Sequence, residues 1–159
     1  MRRATSPLAI MGVISPRILL LEDDPNRCEW FTGWIPDAIW DVTCKTGVAI
    51  NWLLERSYGL ILLDHDLLEE HYLSAIPDDL NTGFAVARWL AENPECQKAV
   101  RILVHSMNFD GANRMVEVLT RSGRAAEHIP FPHLQNYCQA YIGYQPCIPA
   151  PLSQRRRRS

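Results

Sequence analysis

Apolar runs of strand length recur along the chain at Arg17-Ile-Leu-Leu-Leu21, Leu60-Ile-Leu-Leu63 and Arg101-Ile-Leu-Val104. None alternates with polar residues, as a half-exposed strand would, so each predicts a parallel strand buried on both faces. Weaker runs near Ile39 to Cys44 and Ala126 to Ile129 predict two more strands. Between them the apolar positions change to helical spacing. Asp24-Pro25 opens a helix with Cys28, Trp30, Phe31 and Trp34, and Thr46 can cap another with Val48, Ala49, Trp52 and Leu53. Asn81 or Thr82 caps a third, through Phe84, Val86, Ala87, Trp89 and Leu90 to Asn93-Pro94. A fourth runs from about Asp110, with Met115, Val116, Val118 and Leu119, to Gly123, and Leu134 to about Tyr144 predicts the last.

Strands and helices in strict alternation predict an α/β fold, a flavodoxin-like doubly wound five-stranded parallel sheet. The expected domain covers residues 17–144, between flexible tails at 1–16 and 145–159. The connection from Leu67 to Asn81 is longer than a strand-to-helix loop needs and carries Glu69, Glu70, His71, Asp78 and Asp79. It reads either as a lid or as a solvated acidic insertion.

In such a sheet the carboxyl ends of the strands share one edge, where ligands bind. Glu22, Asp23 and Asp24 follow the first run, Asp64-His65-Asp66 the second, and His105-Ser106 the third. Converging carboxylates repel unless a cation or a shared proton offsets their charge, which predicts a divalent-metal site that handles a phosphate. Asp23, Asp24 and Asp64 are the expected oxygen ligands. Asp66 is either a further ligand or a partner that orients His65. Glu22 is ambiguous, a final strand residue able to face solvent.

Magnesium or manganese suits the carboxylates, while His65 and His105 also admit zinc or iron. Either histidine can give or take a proton near neutral pH. Ser106 and Asn108 can donate hydrogen bonds to phosphate oxygens, or Asn108 can cap the fourth helix. Arg114 can reach a phosphate from the same helix start, or form an exposed salt bridge. His71, His128 and His133 are weaker candidates, and the five tryptophans sit mainly at core-packing positions.

Charge narrows the partners. The formal net charge of -2 conceals basic ends, Arg2 and Arg3 at the start and Arg155 to Arg158 near the finish. Without those six, 10 basic residues face 18 acidic ones, a body near -8 that is poorly suited to binding nucleic acid over its whole surface. Five cysteines without a CxxC pair predict neither a disulfide framework nor a cysteine zinc site, and point to a reducing, cytoplasmic setting. The start imitates a signal peptide, but its apolar stretch is short and bracketed by Pro7 and Pro16, so no cleavage is expected. Met11 is an alternative initiator. No membrane association is expected.

Leu21-Glu-Asp-Asp24, Leu63-Asp64, Gly83 and His105-Ser106 resemble the receiver domain of two-component response regulators over residues 17–144. That resemblance implies magnesium on Asp23 and Asp24 and a phosphoacceptor at Asp64. The chain departs from the pattern at His105, where a receiver carries Thr or Ser, and in His128-Ile-Pro-Phe-Pro-His133, which lacks the receiver's lysine. The departures have a pattern of their own: Leu63-Asp-His-Asp-Leu67, Thr82-Gly-Phe-Ala-Val-Ala-Arg-Trp89, and Val104-His-Ser-Met-Asn108 with Gly111 and Met115. They resemble the cyclic-phosphate processing receiver domains. This implies a metal-dependent phosphoesterase acting on a cyclic or terminal phosphate, of a cyclic nucleotide or an RNA end. The alternative is a non-catalytic receiver that binds a protein through its fourth strand, fourth helix and fifth strand.

Overall fold

The computed structural model describes residues 15–68 and 81–134. Elements alternate in the order β1 (Arg17–Leu21), α1 (Pro25–Trp34), β2 (Ile39–Thr43), α2 (Thr46–Glu55), β3 (Leu60–Leu63), α3 (Gly83–Glu92), β4 (Arg101–Val104), α4 (Phe109–Arg121) and β5 (Ala126–His128), followed by a 3-10 turn at Phe131–His133. The five strands form one parallel sheet in the order β2-β1-β3-β4-β5, as the alternation predicts. The expected last helix beyond Leu134, residues 1–14 and 145–159 of the tails, Cys138 and Glu69, Glu70, His71, Asp78 and Asp79 lie outside the described residues. Among the described residues no helix is long and apolar enough to cross a membrane.

The central strands are apolar throughout because both their faces are covered. Leu19, Leu21, Ile61, Leu63, Ile102 and Val104 pack with Ala49, Leu53, Val86, Leu90, Met115 and Leu119 of α2, α3 and α4. Ile18, Leu20, Leu60, Leu62 and Leu103 pack on the other side with Phe31 and Trp34 of α1. This assignment of alternate residues to opposite faces follows from the two-residue period of a strand. Residues at the sheet's centre are fully buried, whereas edge strand β2 leaves Ile39 45% exposed.

The helix starts refine the sequence reading. Asp24 caps α1 by accepting from the backbone N–H groups of Asn26 and Arg27 (2.8 and 3.3 Å), and Pro25 occupies the first turn, where its missing N–H costs nothing. Lys45, rather than Thr46, holds the cap position of α2, without a side-chain cap bond. Helix α4 begins one residue earlier than expected because Asn108 caps it, its Oδ1 accepting from Gly111 N–H at 3.0 Å.

A polar clamp ties β1, β2 and the end of α2 together at the opposite end of the sheet. Asp41 accepts from Arg17 (2.9 Å), Tyr58 (2.8 Å) and Arg56 (2.8 Å). Burial by itself would raise the Asp41 carboxyl, but hydrogen bonds from Arg17, Tyr58 and Arg56 outweigh it and hold the group below the usual carboxylate range. A depressed folded-state value means that the clamp's contribution is complete above the ordinary aspartate range and is lost as pH falls through the folded value. Asp41→Asn is therefore expected to lower the thermal midpoint at neutral pH by about 3 °C. The gap from wild type should close in strong acid, as scanning calorimetry at neutral and acid pH would read.

Candidate functional site

Register creates the site. Leu21 of β1 is aligned with Leu63 of β3, and Leu63 with Val104 of β4. The next residue on each strand is Glu22, Asp64 and His105. The ladder continues through them, since Asp64 N–H donates to Leu21 C=O (3.0 Å) and His105 N–H to Leu63 C=O (2.9 Å). Three polar side chains thus stand side by side on adjacent strands, where neighbours are roughly 4.8 Å apart. They share the face of Leu20, Leu62 and Leu103, two residues back along each strand. Each offers one ligand atom within 4.8 Å of the others, and all three residues are buried.

Glu22, at the β1 end of this row, accepts four donors. Its Oε1 takes the backbone N–H groups of Asp23 (3.0 Å) and Asp24 (2.9 Å) and the Arg27 guanidinium (2.8 Å). Its Oε2 takes His105 Nε2–H at 3.0 Å. Burial opposes ionisation of Glu22, yet the His105 hydrogen bond and charge, the Asp24 amide and Arg27 together hold it below its ordinary value. A carboxylate only accepts, so this bond places a proton on His105 Nε2. The other ring nitrogen, Nδ1, is buried without a hydrogen-bond partner among the described residues. Phe31 packs edge-on against the ring, with centroids 5.0 Å apart.

Asp64 sits between two groups. Its Oδ2 meets Arg27 at 3.0 Å, its Oδ1 accepts the His65 N–H at 2.7 Å, and Ser106 gives it a further hydrogen bond. Burial raises the Asp64 carboxyl, the negative charge of Glu22 adds to the rise, and His105, Ser106 and Arg27 oppose it without cancelling it. Asp23 lies at the rim with its side chain 20% exposed. Burial first, then the charges of Glu22 and Asp64, push it up to about 6.

The second group lies at the start of α4. His65 Nδ1 is 2.6 Å from Asp66 Oδ1, and the Asn108 side-chain amide donates to both Asp66 oxygens (3.2 and 3.3 Å). One asparagine therefore caps α4 with its oxygen and steadies the Asp66–His65 pair with its nitrogen. The His65 ring rests on Gly111, where an added Cβ would come within 2.5 Å of two ring atoms. Ser106 Oγ accepts from Asn108 N–H (3.1 Å), and His128 Nε2 donates to the Ser106 carbonyl (2.8 Å).

Of the residues singled out from sequence, Asp23, Asp64, His65, Asp66, His105, Ser106 and Asn108 gather at this edge. Asp24 turns to the helix start as its cap and keeps a side chain 41% exposed. Arg114 lines a surface hollow of about 260 Å³ between α3 and α4 with Phe84, Glu117, Val118 and Arg121. His133 is exposed in the 3-10 turn.

The sequence reading undervalued Glu22 and passed over Arg27. Both left a signal. Period-two alternation puts Glu22 on the same face as Ile18 and Leu20, which buries it. An arginine in the first turn of a helix opposes the helix dipole, a placement that makes sense only with carboxylates ahead of it.

Known structures share this architecture. The manganese-bound form of response regulator Rcp1 superposes with a TM-score of 0.58 at 17% identity, over 85% of this chain and 99% of that one. The receiver domain of sensor histidine kinase PA1611 from Pseudomonas aeruginosa PAO1, with magnesium in its active-site cleft, gives 0.56 at 19%, over 82% and 100%. A CheY-like receiver domain from Methanospirillum hungatei JF-1 gives 0.56 at 11%, over 82% and 95%. These likenesses establish a CheY-like receiver fold. No curated protein matches the sequence. Residues 18–121 match one family, and they contain the Glu22–Asp64–His105 row and the His65–Asp66–Asn108 group that depart from an ordinary receiver; the chain belongs to the cyclic-phosphate processing receiver domain family.

Proposed function

We propose that this domain is a metal-dependent phosphoesterase acting on a cyclic or terminal phosphate, carried by a cyclic nucleotide or an RNA end. The observation that carries the reading is the row of Glu22, Asp64 and His105, three buried groups with ligand atoms within 4.8 Å of one another. Two carboxylates and an imidazole suit manganese or magnesium and also admit zinc or iron. The buried His105 Nδ1, without a hydrogen-bond partner among the described residues, fits a site whose polar groups are built for something besides one another. Glu22, Asp64 and His105 would hold the ion, with Asp23 at the rim as a further oxygen ligand. The two solved receiver structures that carry manganese and magnesium support a metal at this sheet edge. A divalent ion bound here would supply Lewis-acid polarisation of a phosphoryl oxygen.

The chain's own residues account for the remaining chemistry. Asp66 accepts from His65 Nδ1 and so fixes the ring and its tautomer, and in this reading Nε2 takes a proton from a nucleophile or gives one to a leaving oxygen. Asn108 holds Asp66 in place, and Ser106 orients Asp64. Asp24 serves α1 as its cap.

The test is turnover of a panel of cyclic nucleotides and RNA 2′,3′-cyclic phosphates with manganese, magnesium and zinc. Metal-dependent hydrolysis is the expected result, and His65→Asn should cut it by about 10²-fold while metal binding persists. Hydrolysis of nothing in the panel would favour the second reading, a receiver that binds a protein. Met107 and Phe109, 51% and 55% exposed at the β4–α4 turn, support that alternative. His65→Asn would then leave partner binding intact.

A further inference from the structure

We infer that Arg27 is a built-in competitor of the divalent ion, its guanidinium occupying carboxylate oxygens that the ion would take. The inference rests on the reading of this edge as a metal site. Arg27 bridges the two acidic members of the row, at 2.8 Å from Glu22 Oε1 and 3.0 Å from Asp64 Oδ2. It also lies 3.7 Å from Asp23 Oδ1 and 3.6 Å from Asp24 Oδ2, so four carboxylates surround one cation.

This arrangement eases, from within the chain, the charge problem posed by the sequence, a partial balance of one guanidinium against four carboxylates. The balance has a consequence for binding. A divalent ion and a guanidinium on the same oxygens repel in a partly desolvated site, so the guanidinium must give way before the ion enters. The position of Arg27 assists that exchange. It stands in the first turn of α1, where the helix dipole disfavours a cation, and its ion pairs with the carboxylates offset that cost. The Arg27-bridged arrangement thus lowers the apparent affinity for the ion, in proportion to the fraction of molecules in which Arg27 has withdrawn. Arg27 sets the concentration at which the site fills, and a protein with this device discriminates against low ambient metal.

Isothermal titration of manganese into wild type, Arg27→Met and Arg27→Gln, each paired with thermal unfolding, tests the inference. Both variants should bind manganese at least about tenfold more tightly than wild type. Their thermal midpoints should fall without metal, because three buried or half-buried acids lose their counter-charge, and saturating manganese should raise those midpoints more than it raises that of wild type. If Arg27→Met does not fold, Arg27→Gln, which keeps a hydrogen-bond donor, decides the matter. Equal or weaker manganese binding by the variants, with wild type binding normally, would overturn the competitor role and leave the metal site standing. Absence of binding in all three proteins would overturn the metal site itself.

Discussion

Glu22→Gln is expected to weaken manganese binding by more than about 10²-fold, beyond what loss of an outer-sphere partner costs, and to abolish turnover with it. The substitution preserves shape and removes one charge and half of the acceptor capacity. In the native protein Glu22 takes donors from Asp23 N, Asp24 N, Arg27 and His105. A glutamine has one acceptor oxygen, and its NH₂ would face donors that it cannot satisfy. Stranding even one buried donor costs about 1–3 kcal/mol, so the variant should also unfold earlier than wild type. Calorimetric titration, the hydrolysis assay and a thermal melt separate these effects. His105→Ala removes the neighbouring member of the row and should lose turnover in the same way. Should Glu22→Gln retain wild-type manganese affinity, the row would be a structural hydrogen-bond network and the ion, if any, would bind at Asp23 and Asp24 instead.

Gly83→Ala should cause the larger loss of stability, about 3 kcal/mol or more, equivalent to a fall of about 10 °C in thermal midpoint. A Cβ at Gly83 would lie 1.8 Å from the Asp64 carbonyl oxygen and 2.9 Å from its carbon. Both are backbone atoms in the turn that leaves β3, and neither can rotate aside. Separating them would break the bond from Gly83 N–H to the His65 carbonyl (2.8 Å) and shift Asp64 and His65 out of place. Gly47→Ala, with nothing within 4 Å of its new Cβ, is the control and should be neutral or slightly stabilising in α2. A modest effect at Gly83 would mean that α3 can slide along the strand exit, and that the site is less rigid than this packing implies.

The resemblance to a receiver was legible from residues that the fold needs at defined places: acids after the first strand, an aspartate after the third, glycine at the start of α3. The departure from that pattern proved equally informative. His105 replaces a small hydroxyl residue and fills its space with a ring that bonds to Glu22 and packs on Phe31. The lysine that a receiver carries after β5 is absent from this chain. The structure supplies a cation to this edge from α1, the first helix, through Arg27.

The distinction between Glu22 and Asp24 shows the limit of reading from sequence. Three consecutive acids look interchangeable on paper, yet each has a different neighbour. Glu22 remains on the ladder, its N–H donating to Thr43 C=O at 3.0 Å, and is therefore carried into the sheet with its side chain buried. Asp24 is already at the helix start and spends its carboxylate on two backbone N–H groups. Asp23, between them, is left at the rim.

Sequence alone determined the parallel sheet, the order of its elements and the edge where the polar residues gather, because those depend on apolar periodicity and strand-end position, both written locally in the chain. Tertiary structure decided which of the gathered groups touch. The alignment of Leu21, Leu63 and Val104 across three strands sets Glu22 beside Asp64 and Asp64 beside His105, and the packing of α1 on the sheet delivers Arg27 to them. Those pairings join residues up to 83 positions apart, and local sequence carries no record of strand register.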